Sequence, residues 1–373
     1  MSAETYVVSG GRPAHEHDAP VNPPIILSST YRGAGTVDTV SDKVYARFAN
    51  PTWEAMEEVV AGLEGGTHGL LFPSGMAAIA SILDLVPVGS VILIPKHAYM
   101  ASITMSKDLQ KRGIAEVVRI DLEDTASVIA AFEDAAARTG VTPETVDYAA
   151  PKVLAWLESP TNPMLEVADL PTICAAAKRL GVVTAVDNTF ATPVNCRPIE
   201  WGADIVIHST TKYMDGQATA VGGCIVDSGK FDWMAHADKF PGLCTPDESY
   251  HGLIYAQAFG AAGYIVKATA QLMRDLGSCQ SPQNAFLLNN GLETLHLRMR
   301  RHVENAHAVA AFLKAHPRVA WVQYADNPDG VDAALAKKYL PNGGCGVLAF
   351  GLKGTREETV RFMDRLKLIS IVT

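Results

Sequence analysis

The stretch DIVIHSTTKYMDG sets Lys212 four residues after an apolar run that closes at His208, with Ser209, Thr210 and Thr211 between them. Hydroxyls and turn N–H groups make a cradle for an anion, and a lysine amine beside it can bond a carbonyl carbon. Upstream, VVTAVDNTF puts Asp187 at the end of another apolar run. An acid there is ordinarily a cap or turn former. Opposite a protonated heterocycle it would instead keep the ring electron-poor while a Cα bond breaks, and the cationic ring would offset the cost of burying a carboxylate. Pyridoxal 5′-phosphate (PLP), held on Lys212 as a Schiff base, needs both groups.

Further candidates stand at other strand ends. In FPSGMAAIAS, Gly75 and Met76 sit where an apolar run gives way to a helical pattern, so their N–H groups are free to face a phosphate; a tight turn is the ordinary alternative. Tyr99 in PKHAYMASIT opens the next helical stretch, where it would stack on a ring and pass a proton, or simply pack. Asn162 in ESPTNP lies in a loop stiffened by Pro160 and Pro163, suited to a ring hydroxyl or to a turn.

The elements that must carry these residues alternate. GLLF, SVILIP, AEVVRID, KVLAWLES, VVTAVD and DIVIHS read as strands, with helical stretches between most of them. That order predicts an α/β fold, a mostly parallel sheet with helices on both faces, whose ligands gather beyond the strand ends. Before it, residues 1–60 read as an arm that is Gly/Pro/His-rich at the start; EAMEEVVAGLEGG is an amphipathic helix stopped by Gly65 and Gly66. The cofactor domain is expected over 61–250. A smaller C-terminal α/β domain is expected over 251–373, with long helices near 255–278 and 282–315 and an unfinished strand at LISIVT.

Composition narrows the function. Of 373 residues, 48% are hydrophobic and 19% charged, which predicts a folded chain large enough for two domains. The net charge of -9 lacks the concentrated Lys/Arg that nucleic acid requires. Six scattered cysteines form no CxxC and argue against a metal site; with no signal peptide or apolar span, a cytoplasmic protein outside the membrane is expected. No GxGxxG follows a strand with a distant acid, which disfavours a NAD enzyme.

Taken together, VYARFANPT, LEGG, FPSGMAA, ESPTNP, VDNTF, HSTTKYMDG, GGCIVDSGKFDW, KFPGLCTPDESYHGL and SPQNAFLLNNGLETLHLRMRRHVENA make a specific match. The chain resembles the Cys/Met-metabolism (trans-sulfuration) PLP enzymes, most closely their O-acetylhomoserine sulfhydrylase branch. The resemblance implies the aspartate-aminotransferase-like PLP-dependent transferase fold (fold type I). It implies Lys212 as Schiff-base lysine and general base, Asp187 as pyridinium partner, Tyr99 as stacking tyrosine, and Gly75, Met76, Ser209 and Thr211 as phosphate cradle. Tyr45 and Arg47 match a YxR element that reaches the neighbouring subunit's cofactor, which implies a homodimer as the minimal active unit and a homotetramer of two such dimers.

The implied reaction is γ-replacement on O-acetyl-L-homoserine with sulfide or a small thiol, giving homocysteine or methionine in methionine biosynthesis. Methionine or cystathionine γ-lyase, cystathionine γ-synthase, and a non-catalytic PLP-binding subunit that donates Tyr45 and Arg47 remain alternatives. Met100 and Ala101 replace the glycines usual after the stacking tyrosine, and Gln217 stands where relatives have His. Relatives also continue past LKLIS through an arginine for the substrate α-carboxylate, so a missing tail is expected.

Overall fold

The computed structural model describes residues 1–33, 43–47, 49–229 and 231–372; part of the predicted arm, Lys230 and the final Thr373 lie outside the described residues. The arm opens unexpectedly with a helix, α1 (Ala3–Ser9), capped by Ser2. Tyr6 donates its hydroxyl to the Glu58 carbonyl at 3.1 Å. Helix α2 (Pro51–Glu64) runs across residue 60, starting on the Asn50 cap with Pro51 in its first turn and ending on Gly65 in the left-handed region at φ 75°. Its buried face, Trp53, Met56, Val59, Val60 and Leu63, has helical spacing.

Seven strands follow: β1 (His68–Phe72), β2 (Ser90–Pro95), β3 (Ala115–Ile120), β4 (Val153–Glu158), β5 (Val183–Asp187), β6 (Ile205–His208) and β7 (Gly223–Asp227). They lie in the order β1-β7-β6-β5-β4-β2-β3, all parallel except β7, which is antiparallel to both neighbours. Helices α3 (Gly75–Leu83), α4 (Met100–Lys111), α5 (Thr125–Thr139) and α6 (Leu170–Leu180) connect the parallel strands. In β4 the period-2 pleat divides the strand between two cores. Leu154 and Trp156 pack with Trp53, Ile79, Ile82 and Leu109 on one face, while Val153, Ala155 and Leu157 pack with Phe132, Ile173 and Ala177 on the other. The order reverses between β2 and β4, the point at which sheets of this kind take ligands.

Strand β7, inside the expected cofactor domain, has no counterpart among the strands read from sequence. Gly222 and Gly223 are packing requirements: a Cβ on Gly223 would lie 2.3 Å from the Ser74 carbonyl oxygen. Two helical expectations also change. The run near 255–278 is broken at Gly260, whose φ of 55° ends Tyr255–Phe259, and passes through a π turn at Thr269–Met273. The run over 282–315 divides at Glu293 and Thr294 into Pro282–Leu292 and Leu295–Ala315.

The smaller C-terminal sheet pairs β8 (Val319–Gln323) with β9 (Ala349–Leu352), antiparallel. Beyond the helix Arg356–Asp364, LISIV forms no strand, and Leu368, Ile369, Ile371 and Val372 are exposed. Among the described residues the six cysteines are unpaired, and no helix is long and apolar enough to cross a membrane.

At the end of β7, Asp227 is buried; burial pushes its carboxyl from 3.8 up to about 7, with Asp204 adding to the shift. Between those values the folded state keeps a proton that the unfolded chain releases, so this group's contribution to stability is greatest below 3.8 and falls as pH rises to about 7. The decline is expected to reach at most roughly 4 kcal/mol. Asp227→Asn should flatten that part of the profile of denaturation midpoint against pH; an unchanged slope would remove Asp227 as its source.

Candidate active site

Most of the predicted residues converge on the strand ends of one sheet face. Asp187 closes β5, paired in register with Glu158 at the end of β4 and with Ile207 of β6. Both acids are buried. The Thr189 N–H donates to Asp187 Oδ1 at 3.0 Å, and the Thr189 hydroxyl oxygen accepts the Ser209 N–H at 2.9 Å. Thr189 therefore couples the acid to the turn that bears Lys212, a role the sequence reading did not assign. Burial raises the Asp187 carboxyl, opposed by the Thr189 hydrogen bonds and the nearby His208.

Lys212 lies in the turn after β6 with its side chain exposed. Its backbone is held at both ends: its N–H donates to the Ser209 carbonyl at 3.2 Å, and its carbonyl accepts the Gly216 N–H at 2.8 Å. Arg298, from a stretch that reads in sequence as a charged helix face, instead reaches back to donate to the carbonyls of Tyr213 at 2.5 Å and Gly291 at 2.7 Å. Gly216 adopts φ 69°, and a Cβ there would strike the Arg298 guanidinium. The lysine thus projects from a turn clamped by a helix about eighty residues downstream.

Gly75 and Met76 begin α3, where first-turn N–H groups have no partner within the helix. A Cβ on Gly75 would lie 2.8 Å from the Ser209 Cβ, so the two turns meet only because residue 75 is glycine. Thr211 is engaged differently: its hydroxyl donates to the Gly222 carbonyl at 3.1 Å and accepts the Gly222 N–H at 3.0 Å. Tyr99 occupies the N-cap of α4, 41% exposed, and its N–H donates to Glu158 Oε2 at 2.8 Å. Asn162 is half-buried, followed by a cis peptide to Pro163.

Tyr45 and Arg47 belong to the segment of the arm that precedes α2. Tyr45 bridges to Thr30 of the arm, the Arg47 guanidinium stands 5.3 Å from the Tyr45 ring centroid, and both face a cavity bordered by Trp53, Cys279 and Gln280.

Behind Asp187, at the junction of β6 with the end of α2, the fully buried His208 Nε2 and Glu64 Oε1 meet at 2.6 Å, and Asn188 Nδ2 donates to the same Glu64 oxygen at 2.8 Å. No local motif marks these three as partners, because Glu64 and His208 are 144 residues apart.

A PLP molecule suits this arrangement on two structural grounds. Asp187 is a buried carboxyl whose negative form lacks an ion pair among the described residues, which a cationic ring nitrogen would supply. A Cβ on Gly75 would collide with Ser209, so glycine there lets the first-turn N–H groups of α3 stand directly beside the Ser209 turn, the arrangement that suits an anion.

Comparison with known proteins points the same way. Residues 4–373 match the family described as Cys/Met metabolism PLP-dependent enzyme. The chain is 40% identical over 339 residues to the homocysteine/cysteine synthase of Saccharomyces cerevisiae, covering 88% of this chain and 73% of that protein. It is 36% identical over 340 residues to the O-acetyl-L-homoserine sulfhydrylase of Leptospira meyeri, again covering 88% and 73%. Among solved structures, a putative O-acetylhomoserine (thiol)-lyase from Campylobacter jejuni, which carries N′-pyridoxyl-lysine-5′-monophosphate, superposes with a TM-score of 0.86 at 28% identity over 100% of this chain and 90% of that one. Cystathionine gamma synthase from Xanthomonas oryzae pv. oryzae gives 0.80 at 32%, over 100% and 84%.

Proposed function

Since the chain belongs to the Cys/Met-metabolism family of PLP-dependent enzymes, we propose that it replaces the acetoxy group of O-acetyl-L-homoserine with sulfide or a small thiol, giving homocysteine or methionine. The observation that carries this reading is the joining of two strand ends, with Asp187 coupled through Thr189 to the turn that presents Lys212. The sulfhydrylase and homocysteine synthase names of the relatives support the choice of reaction within the family.

When bound, PLP supplies an electron sink for the pair left at Cα, and through it at Cβ, as protons are removed. The protein's residues do the remainder. Gly75 and Met76 N–H groups, Ser209 and Thr211 would hold the phosphate, Asn162 the ring hydroxyl, and Asp187 the ring nitrogen. The Lys212 amine would take the Cα proton and later return one, and Tyr99 would stack on the ring and assist departure of acetate from Cγ. Addition of hydrosulfide at Cγ with protonation at Cβ and Cα balances the exchange: acetate leaves and the thiol remains.

Tyr45 and Arg47 complete the phosphate site of the neighbouring subunit, so the active unit is a homodimer, and two dimers form a tetramer in the cytoplasm.

Purified chain incubated with PLP, O-acetylhomoserine and sulfide should yield homocysteine and acetate in equal amounts. Release of methanethiol from methionine alone would favour a γ-lyase; product with cysteine but not sulfide would favour the synthase, whose structural likeness keeps it as the second reading. Cofactor binding with no product from any of these would leave a non-catalytic subunit.

A further inference from the structure

Tyr99 is an unusual residue for a helix N-cap. Ser, Thr, Asp and Asn are favoured there because their side chains accept first-turn N–H groups, whereas the Tyr99 side chain caps nothing. The residue is held from outside its own helix, by Glu158 across the point where the strand order reverses. Glu158 Oε2 accepts the Tyr99 N–H at 2.8 Å, and Asn162 follows four residues later in the loop that Glu158 opens. The same side chain stands in register with Asp187 on the neighbouring strand. One buried acid therefore touches or adjoins three separate segments that bear candidate cofactor contacts.

We propose that Glu158 is a positioning residue, which sets the direction of the Tyr99 ring relative to Asp187 by accepting the Tyr99 backbone N–H from the neighbouring loop. The inference rests on the reading above in which Tyr99, Asn162 and Asp187 surround one cofactor ring.

Burial and the facing Asp187 push the Glu158 carboxyl well above its ordinary range, opposed by the Tyr99 N–H. Burial also raises Asp187, opposed by the Thr189 hydrogen bonds and the nearby His208. A second tie, His97 Nδ1 to Glu166 Oε1 at 2.7 Å, joins the same two loops farther out. Because that tie survives replacement of Glu158, such a variant reads the orientation of Tyr99 instead of collapse of the loop pair.

Three substitutions separate a hydrogen-bond acceptor from a charge or a space-filler. Glu158→Gln keeps an oxygen at the same reach without an acid, Glu158→Asp keeps the acid but withdraws its oxygens by one methylene, and Glu158→Ala removes both. In the cofactor-free chain, exchange of the Tyr99 amide is expected to speed up about tenfold in the Asp and Ala variants and to be unchanged in Gln. In the loaded enzyme, kcat should fall on the order of 10²-fold in Asp and Ala with KM little changed, the scale expected for a misplaced reacting group. The visible circular dichroism of the bound cofactor should weaken in the same two variants and persist in Gln.

Equal amide exchange in all four proteins would overturn the proposal. So would a Gln variant as impaired as Asp, or an Asp variant equal to the parent; both comparisons decide the matter even where Ala does not fold. If the parent chain neither binds PLP nor turns over, the functional reading fails, while amide exchange in the cofactor-free chain still decides the role of Glu158.

Discussion

Lys212→Ala is expected to lower turnover of O-acetylhomoserine by about 10⁴-fold, the upper range for loss of a positioned proton-transfer group. It should also abolish the visible absorption of lysine-linked PLP. The cause is local: no other lysine lies in the turn between β6 and β7, and that turn is pinned by Ser209, Gly216 and Arg298. A neighbouring amine therefore cannot swing into its place. Retention of the absorption band would show that another residue bonds the cofactor. The same variant tests assembly: mixed with Arg47→Ala subunits it should recover activity, because a hybrid dimer contains one site with both residues intact. No recovery would remove Tyr45 and Arg47 from the neighbouring site.

Asp187→Ala should leave the cofactor bound through the cradle at Gly75 and Ser209 yet reduce kcat by roughly 10²–10³-fold, the size found when a preorganised electrostatic partner is removed. Asp187→Asn is the sharper comparison, since the amide oxygen still accepts the Thr189 N–H and only the charge is lost. Both variants are expected to be similarly slow if charge is the operative property. Full activity in Asn would mean that Asp187 serves to hold Thr189 and the Lys212 turn. The pair of results thus separates electrostatics from support of the turn, two functions that one carboxyl combines here.

Much of the molecule can be read before it folds. In a parallel sheet both faces are covered, so the interior strands stand out as uninterrupted apolar runs such as VLAWL and IVI. The turns after them concentrate Gly, Ser, Thr, Asn and Asp, and each candidate at a strand end was legible because its neighbours in the chain announced it. Strand β7 was not: its short run follows two glycines whose reasons lie in the fold, Ser74 beside Gly223 and Thr210 and Leu288 beside Gly222. The helix breaks at Gly260 and at Glu293–Thr294 were missed because the apolar period continues across them.

Sequence by itself determined the α/β class, the six apolar strands and the PLP-dependent family, because these depend on side-chain type and spacing along one segment. Tertiary structure alone decided which distant groups serve them: Glu158 at Tyr99, Thr189 at Ser209, Arg298 at the Lys212 turn, and Glu64 against His208. Each joins segments from 20 to 144 residues apart. Hydrogen bonds act over about 3 Å in space and carry no periodic trace along the chain, so such partners become visible only when the strand order has brought their segments together.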